Sequence, residues 1–217
     1  MTEALCVRVT APVVSFRNPL YASVQVGLPC PPPSTVGGLL ASTVGGWSAM
    51  PVATRFAMTF TARGSGTDLE TYHPLDRRGA KSDPTPKDRA FLAFAELTVW
   101  LLDDLDLWER AFRRPMWPLR FGRSQDLAAA RTRRVELTAD RGVQGHAVVP
   151  EELSERGERL RLPTAISQDR ARTRWGGYRY AATGSQNSID ALYATADGQA
   201  IVVLPSTHPA TLDEQPA

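Results

Sequence analysis

Arg120 and Arg123 flank Gly122 in the run PLRFGRSQDLA, Pro118 to Ala128, and Ser124 and Gln125 follow directly. Two guanidinium groups, a hydroxyl and an amide around a flexible backbone point can hold phosphates and read base edges. The same residues also suit an ordinary strand-to-helix turn with Ser124 as its cap. A second run, PPPSTVGGLL from Pro31 to Leu40, sets Ser34 and Thr35 at the expected start of a helix, behind a stiff proline approach. Ser34 is expected to cap that helix. Its first backbone N–H groups have no partner within it, and with hydroxyls beside them they make a site for an anion such as a phosphate. Gly37 and Gly38 weaken the helix by on the order of 1 kcal/mol each relative to alanine. Close approach of another backbone would offset that cost, whether it belongs to RNA, to a partner or to the protein's own sheet.

Other chemistry is sparse. Cys6 and Cys30 supply neither a disulfide framework nor a metal cluster, and no metal or cofactor is expected. The histidines are His73, His146 and His208, and no Ser/His/Asp or Cys/His arrangement stands out. The GSG of Gly64 to Gly66 lacks the lysine and hydroxyl spacing of a phosphate-binding Walker loop.

Charge is uneven in type and place. The 217 residues carry a net +2, and of 25 basic residues only Lys81 and Lys87 are lysine. Arg110 to Arg134 holds eight arginines against the single acid Asp126, while Ala95 to Glu109 holds five acids and no base. Trp117, Phe121 and Gly122 sit inside the basic stretch, a mixture suited to phosphate and base contacts as well as to a solvated face. No apolar run approaches a membrane span, and the first residues alternate apolar and polar rather than forming a signal core, so a cytoplasmic protein without a membrane partner is expected.

The elements that must position these groups follow from periodicity. Leu5 to Val14 alternates as a strand, Thr35 to Thr43 reads as a short helix, and Pro51 to Ala62 and Phe91 to Leu102 read as two further strands. Asp104 to Arg113 suits a helix, and MWPLRFG, Met116 to Gly122, is expected to be the fourth strand. Strand, helix, strand, strand, helix, strand is an α+β, ferredoxin-like order, the architecture of RRM domains. Trp100 and Trp108 fall at core positions of that pattern. Past Arg131 the signals are β, including a hairpin around Asp197 and Gly198. There Trp175, Tyr178 and Tyr180, among Arg170, Arg172, Arg174 and Arg179, are secondary candidates for base stacking or for an ordinary strand. This divides the chain into residues 1–130, a β-rich region 131–205, and a frayed tail 206–217.

Taken in order, PPPSTVGGLL after an N-terminal strand and an F-R-x-P element (Phe16, Arg17, Pro19), then LRFGRSQDL some way downstream, resemble the CRISPR-associated Cas-five family over about residues 4–130. Gln125 departs from the acid that often follows GRS in that family. The resemblance implies a subunit of the type I Cascade effector that holds the 5′ handle of the CRISPR RNA (crRNA) and contacts the backbone and large subunits, with target DNA in the assembled complex. It implies a long β-hairpin thumb between the second and third strands, about residues 63–89, and RNA contacts from Arg17, Ser34, Thr35, Gly37, Gly38, His73, Arg77, Arg78, Lys81, Arg120, Gly122, Arg123, Ser124 and Gln125. Tyr72, Lys87 and Arg89 lie in the same thumb. One branch of the family cuts repeat RNA without metal, using tyrosine, lysine and histidine. This chain has no adjacent Lys-His pair, so a non-catalytic subunit is expected, with an endoribonuclease or a protein-only scaffold as the alternatives.

Overall fold

A computed structural model describes residues 1–21, 26–72 and 85–213. The first strand, β1 (Thr2–Val14), buries Leu5, Val7 and Val9 on one face, as its alternation requires. Helix α1 (Pro33–Val44) follows, then β2 (Phe56–Thr61), β3 (Gly64–Tyr72), the long β4 (Thr85–Leu101), helix α2 (Leu105–Arg113) and β5 (Ala129–Leu137). The sheet order is β2-β4-β1-β5, with β3 paired to β4, and every pair is antiparallel.

One edge of β4 pairs with β1, and the other serves two partners. Its end near Leu101 pairs with β2, and its first half pairs with β3 in the same register, Thr61 opposite Glu96 and Gly64 opposite Ala93. The hairpin is therefore the β2/β4 ladder carried beyond the sheet, past a bend at Phe94 with φ of 51°. His73, Arg77, Arg78 and Lys81 lie outside the described residues.

Val36 and Leu40 of α1 and Trp108 and Phe112 of α2 bury themselves against the apolar side of the sheet. Leu160, Leu162, Tyr178, Tyr180 and Leu204 belong to the same core. They come from the region beyond Leu137, where β6 (Gly142–Val143), β7 (Val149–Pro150), β8 (Glu158–Ile166), β9 (Thr173–Tyr180), β10 (Ser188–Ile189), β11 (Tyr193–Ala194) and β12 (Ala200–Ile201) form three small antiparallel sheets. β11 and β12 make the hairpin expected around Asp197 and Gly198. Backbone bonds from Phe60 N–H to His146, Val148 N–H to Met58 and Leu204 N–H to Phe56 run this region along the outer edge of β2.

Four expectations are corrected. Met116 to Gly122 is a loop, and the edge strand is β5, paired to β1 from Thr2↔Leu137 to Thr10↔Ala129; Pro118 has no N–H to give a ladder. The boundary at residue 130 therefore falls inside a strand, and the core runs across it. Ser34 lies within the first turn of α1 rather than at its cap, which is Pro32 without a side-chain bond. The tail is packed through Asp213: Thr207 and His208 are buried, His208 Nε2 bonds Trp47 O at 2.8 Å, and its Nδ1 accepts from Ala210 N–H.

Tyr178 and Tyr180 are also buried, so neither offers a ring to a base. Tyr178 shares a hydrogen bond with Thr164, and Tyr180 donates to Phe60 O at 3.0 Å.

The tail also separates the two helix glycines. A Cβ on Gly37 would lie 2.0 Å from Thr207 Oγ1 and 2.8 Å from its Cβ, whereas one on Gly38 meets nothing nearer than Trp47 at 4.0 Å. Gly37→Ala should destabilise by about 2 kcal/mol through overpacking, and Gly38→Ala should stabilise by up to about 1 kcal/mol. Urea unfolding of both variants checks the opposite signs.

Burial raises the Tyr180 phenol above its ordinary value of 10.0. The folded state then keeps a proton that the unfolded chain loses, so this contribution to stability is complete below about pH 10 and is lost as pH rises through the folded value. Tyr180→Phe should cost about 1 kcal/mol at neutral pH and flatten the alkaline decline, as followed by urea midpoints; an unchanged decline would assign it to other groups.

Candidate nucleic-acid interface

The loop from Met116 to Ala128 is pinned from below. Phe121 is fully buried, edge-on to Phe16 at 5.0 Å and to Phe60 at 6.2 Å, so the F-R-x-P element and the GRS element share one aromatic cluster. Gly122 follows at φ of +100°, where a Cβ would lie 2.9 Å from Ser15 O. Only glycine suits both the left-handed backbone and that approach. The Phe121 N–H donates to Asp126 O, and Ala128 N–H to Leu119 O, closing the loop on itself.

Its two arginines have opposite fates. The Arg123 side chain is 13% exposed and donates to both oxygens of Asp126, itself 5% exposed, and through Nη1 to Asp68 of β3 at 3.1 Å. The Asp126 carboxylate also accepts the Arg123 backbone N–H at 3.0 Å. The hydrogen bond to Asp126 is the main cause that holds the Arg123 guanidinium above its ordinary value. Arg89 of β4, ion-paired with Glu70, sits against the same cluster; burial lowers its value, with Arg123 adding repulsion. Arg17 lies beside it and donates to Tyr21 O at 3.1 Å. Arg123 therefore links the loop to the hairpin. By contrast, Arg120 is exposed and has no side-chain partner among the described residues.

Arg120 opens onto a groove of about 510 Å³ between this loop and α1. Thr35, Gly38, Leu39 and Ser42 form the helix side, and Trp117, Pro118, Arg120 and Gly122 the loop side. The helix positions follow i, i+3, i+4, i+7, one continuous face. Trp117 is 58% exposed, leaving indole surface free. A Met116 N–H to Thr43 O bond of 3.0 Å fixes the loop to the end of α1. The groove thus offers an unpaired guanidinium, an indole, two hydroxyls and a helix surface without side-chain cover at Gly38.

The two motifs do converge in space, through Thr35, Gly38, Arg120 and Gly122. Gly37 is turned inward against Thr207 and is not part of the groove lining. Ser34 is half-buried, and Ser124 and Gln125 are exposed beyond the groove lining. Ser42 and Leu39 were not singled out from sequence, although their spacing from Thr35 and Gly38 was a readable signal. Among the described residues no group of three or more His, Cys, Asp or Glu side chains could hold a metal ion, and no helix is long and apolar enough to cross a membrane.

A sequence model described as CRISPR-associated protein (Cas_Cas5) matches residues 4–196, most of the chain. The chain belongs to that family. None of the curated proteins matches it. Among solved structures, a chain of a "CRISPR RNA-guided surveillance complex" is similar at TM-score 0.56 and 17% identity, covering 96% of this chain and 92% of that one. A CRISPR protein from Archaeoglobus fulgidus is similar at TM-score 0.52 and 14% identity, covering 94% and 100%. A chain of the Type III-B Cmr-beta complex bound to cognate target RNA and AMPPnP is similar at TM-score 0.56 and 10% identity, covering 85% and 86%. At these identities the likeness is one of fold. The Cas_Cas5 match runs past β5 into the C-terminal region, in keeping with a core that does not stop there.

Asp126→Ala should strip a mostly buried guanidinium of its main partner and cost about 3 kcal/mol. Arg123→Ala should also destabilise, whereas Arg120→Ala should leave the urea midpoint where it is. Equal midpoints for the two arginine variants would show that Arg123 does not hold the loop.

Proposed function

We propose that this Cas_Cas5 chain is a non-catalytic subunit of a CRISPR effector complex that grips the 5′ handle of crRNA. The observation that carries this reading is the groove in which the unpaired Arg120, the exposed Trp117 and the open Gly38 face of α1 converge. A phosphate on Arg120 gains a charge-assisted bond, and a base on Trp117 gains stacking. The two helices and the sheet order β2-β4-β1-β5 support reading this half as a ferredoxin-like, RRM-like platform, with the β3/β4 hairpin as its thumb. The Arg123 bridge would hold the thumb at a set angle to the groove, and the thumb, with its basic residues, would close over the handle. Contacts with the backbone and large subunits, and with target DNA in the assembled complex, follow from the same reading. Sequence readout of the target would belong to guide pairing.

Binding of a repeat-derived handle RNA, followed by fluorescence anisotropy across a salt series, tests this. Arg120→Ala should weaken binding and lower the magnitude of the salt slope by about 0.7, and Trp117→Ala should weaken it about tenfold. Parental affinity in both variants would remove the groove from the interface. The same RNA incubated without metal should stay intact; products ending in 2′,3′-cyclic phosphate and lost in His73→Ala would assign the endoribonuclease reading instead.

A further inference from the structure

The opposite face of the sheet carries a second groove, of about 840 Å³, unrelated to α1 or the Met116 to Ala128 loop. Its floor is the side of the sheet that the helices leave uncovered. Two rows of side chains cross it. Thr59 pairs with Thr98, Thr98 with Arg8 and Arg8 with Arg131 across β2, β4, β1 and β5; the neighbouring row runs Ala57, Trp100, Cys6, Arg133. The β11–β12 turn, Thr195 to Gln199, forms the opposite wall. That wall is anchored, since the Gln199 side-chain amide donates to Val143 O, Gln144 O and Ala200 O at 3.0–3.2 Å.

Arg8 and Arg131 stand directly opposite one another on adjacent strands, and both are exposed. Like charges at facing positions destabilise a sheet. Glu96 pairs with Arg8 at 3.2 Å, but Arg131 has no partner among the described residues. Arg133 adds a third guanidinium two residues along the same strand face. Asp197 and Glu136 on the rim, with Glu96 on Arg8, balance the three guanidinium groups in number, but none of them is paired with Arg131. An anion beside Arg131 would meet a guanidinium that no carboxylate meets and would relieve its repulsion with Arg8.

We propose that this groove is a second site for single-stranded nucleic acid, its phosphodiester held between Arg8 and Arg131 and its base set over Thr59 and Thr98, beside the Trp100 edge. A peptide fits less well, because peptides add to sheets through an unpaired strand edge. On the groove floor β4 and β1 are flanked on both sides, so there only side chains can recognise a ligand; β5 has an open outer edge, but a peptide added there would extend the sheet rather than lie on its face. Guanidinium forks with hydroxyls between them match phosphate and base better than an extended backbone. The strand can be RNA or DNA, since both present the same phosphodiester. The sheet itself separates this site from the Arg120 groove, so the two can be occupied together and tested apart.

The test is photo-crosslinking of the full chain to single strands of about a dozen nucleotides, as RNA carrying 4-thiouridine and as DNA carrying 4-thiothymidine, with the attached peptides mapped by mass spectrometry. With at least one of the two strands, crosslinks are expected on β1 or β5 peptides, in addition to those around Trp117. Arg8→Gln with Arg131→Gln should reduce the β1 and β5 crosslinks at least tenfold and leave those around Trp117, while Arg120→Ala should do the reverse. If the double variant melts lower than the parent, Arg131→Lys, which keeps the charge but not the fork, should still reduce the β1 and β5 crosslinks. Absence of β1 and β5 crosslinks with both strands, their persistence in the double variant, or their loss in Arg120→Ala would overturn the proposal. Loss of only the Trp117 crosslinks from the parent would instead count against the handle groove and leave this one standing.

Discussion

The ion pair between Arg123 and Asp126, shared with Asp68, is the contact on which the candidate interface depends. It is mostly buried, and it joins two segments remote in the chain: a loop between helix and edge strand, and a hairpin that projects past the sheet. Burying a guanidinium is unfavourable unless its donors are met. The carboxylates of Asp126 and Asp68 meet that need here, and Asp126 also accepts the Arg123 backbone N–H, so the loop has one strongly preferred geometry. That geometry turns Phe121 into the aromatic cluster and Arg120 outward. The exposed arginine is available because its neighbour is not.

A comparable division runs through α1. Gly37 lets Thr207 of the C-terminal segment pack flat against the helix, and Gly38, the next residue, leaves its surface open on the groove side. The segment that covers Gly37 is fixed by His208 to Trp47 and by Arg174, whose guanidinium donates to Ser206 O and Thr211 O. The C-terminal region is thus part of the scaffold that holds α1 in place. The continuous core from β1 to Leu204 gives the same answer energetically, because the edge of β2 would otherwise be exposed.

Much of the architecture was legible in local patterning. The alternation of β1, β2 and β4, the two helices and the Asp197–Gly198 turn were each signalled by residues close together in the chain. The failures share a cause. Met116 to Gly122 has the composition of a strand, but Pro118 and the buried Phe121 make it a pinned loop; RTRRVEL, read as β but assigned to the C-terminal region, takes the edge position in its place. Ser34 has the chemistry of a cap, yet the proline run already starts the helix two residues earlier, with Pro32 at the cap. The terminal segment looked polar and frayed because the partners of Thr207 and His208 lie far away in sequence.

By itself, then, the sequence determined the order of elements, the family, and the two runs that meet at the groove. Those properties rest on periodicity and on short-range steric preference, which neighbours in the chain settle. What only the tertiary structure decided is which member of each similar pair faces outward: Gly38 and not Gly37, Arg120 and not Arg123. Residues of one type within a few positions of each other have similar local preferences. Their environments differ because Thr207 and Asp68, remote in the chain, are brought against one of them and not the other.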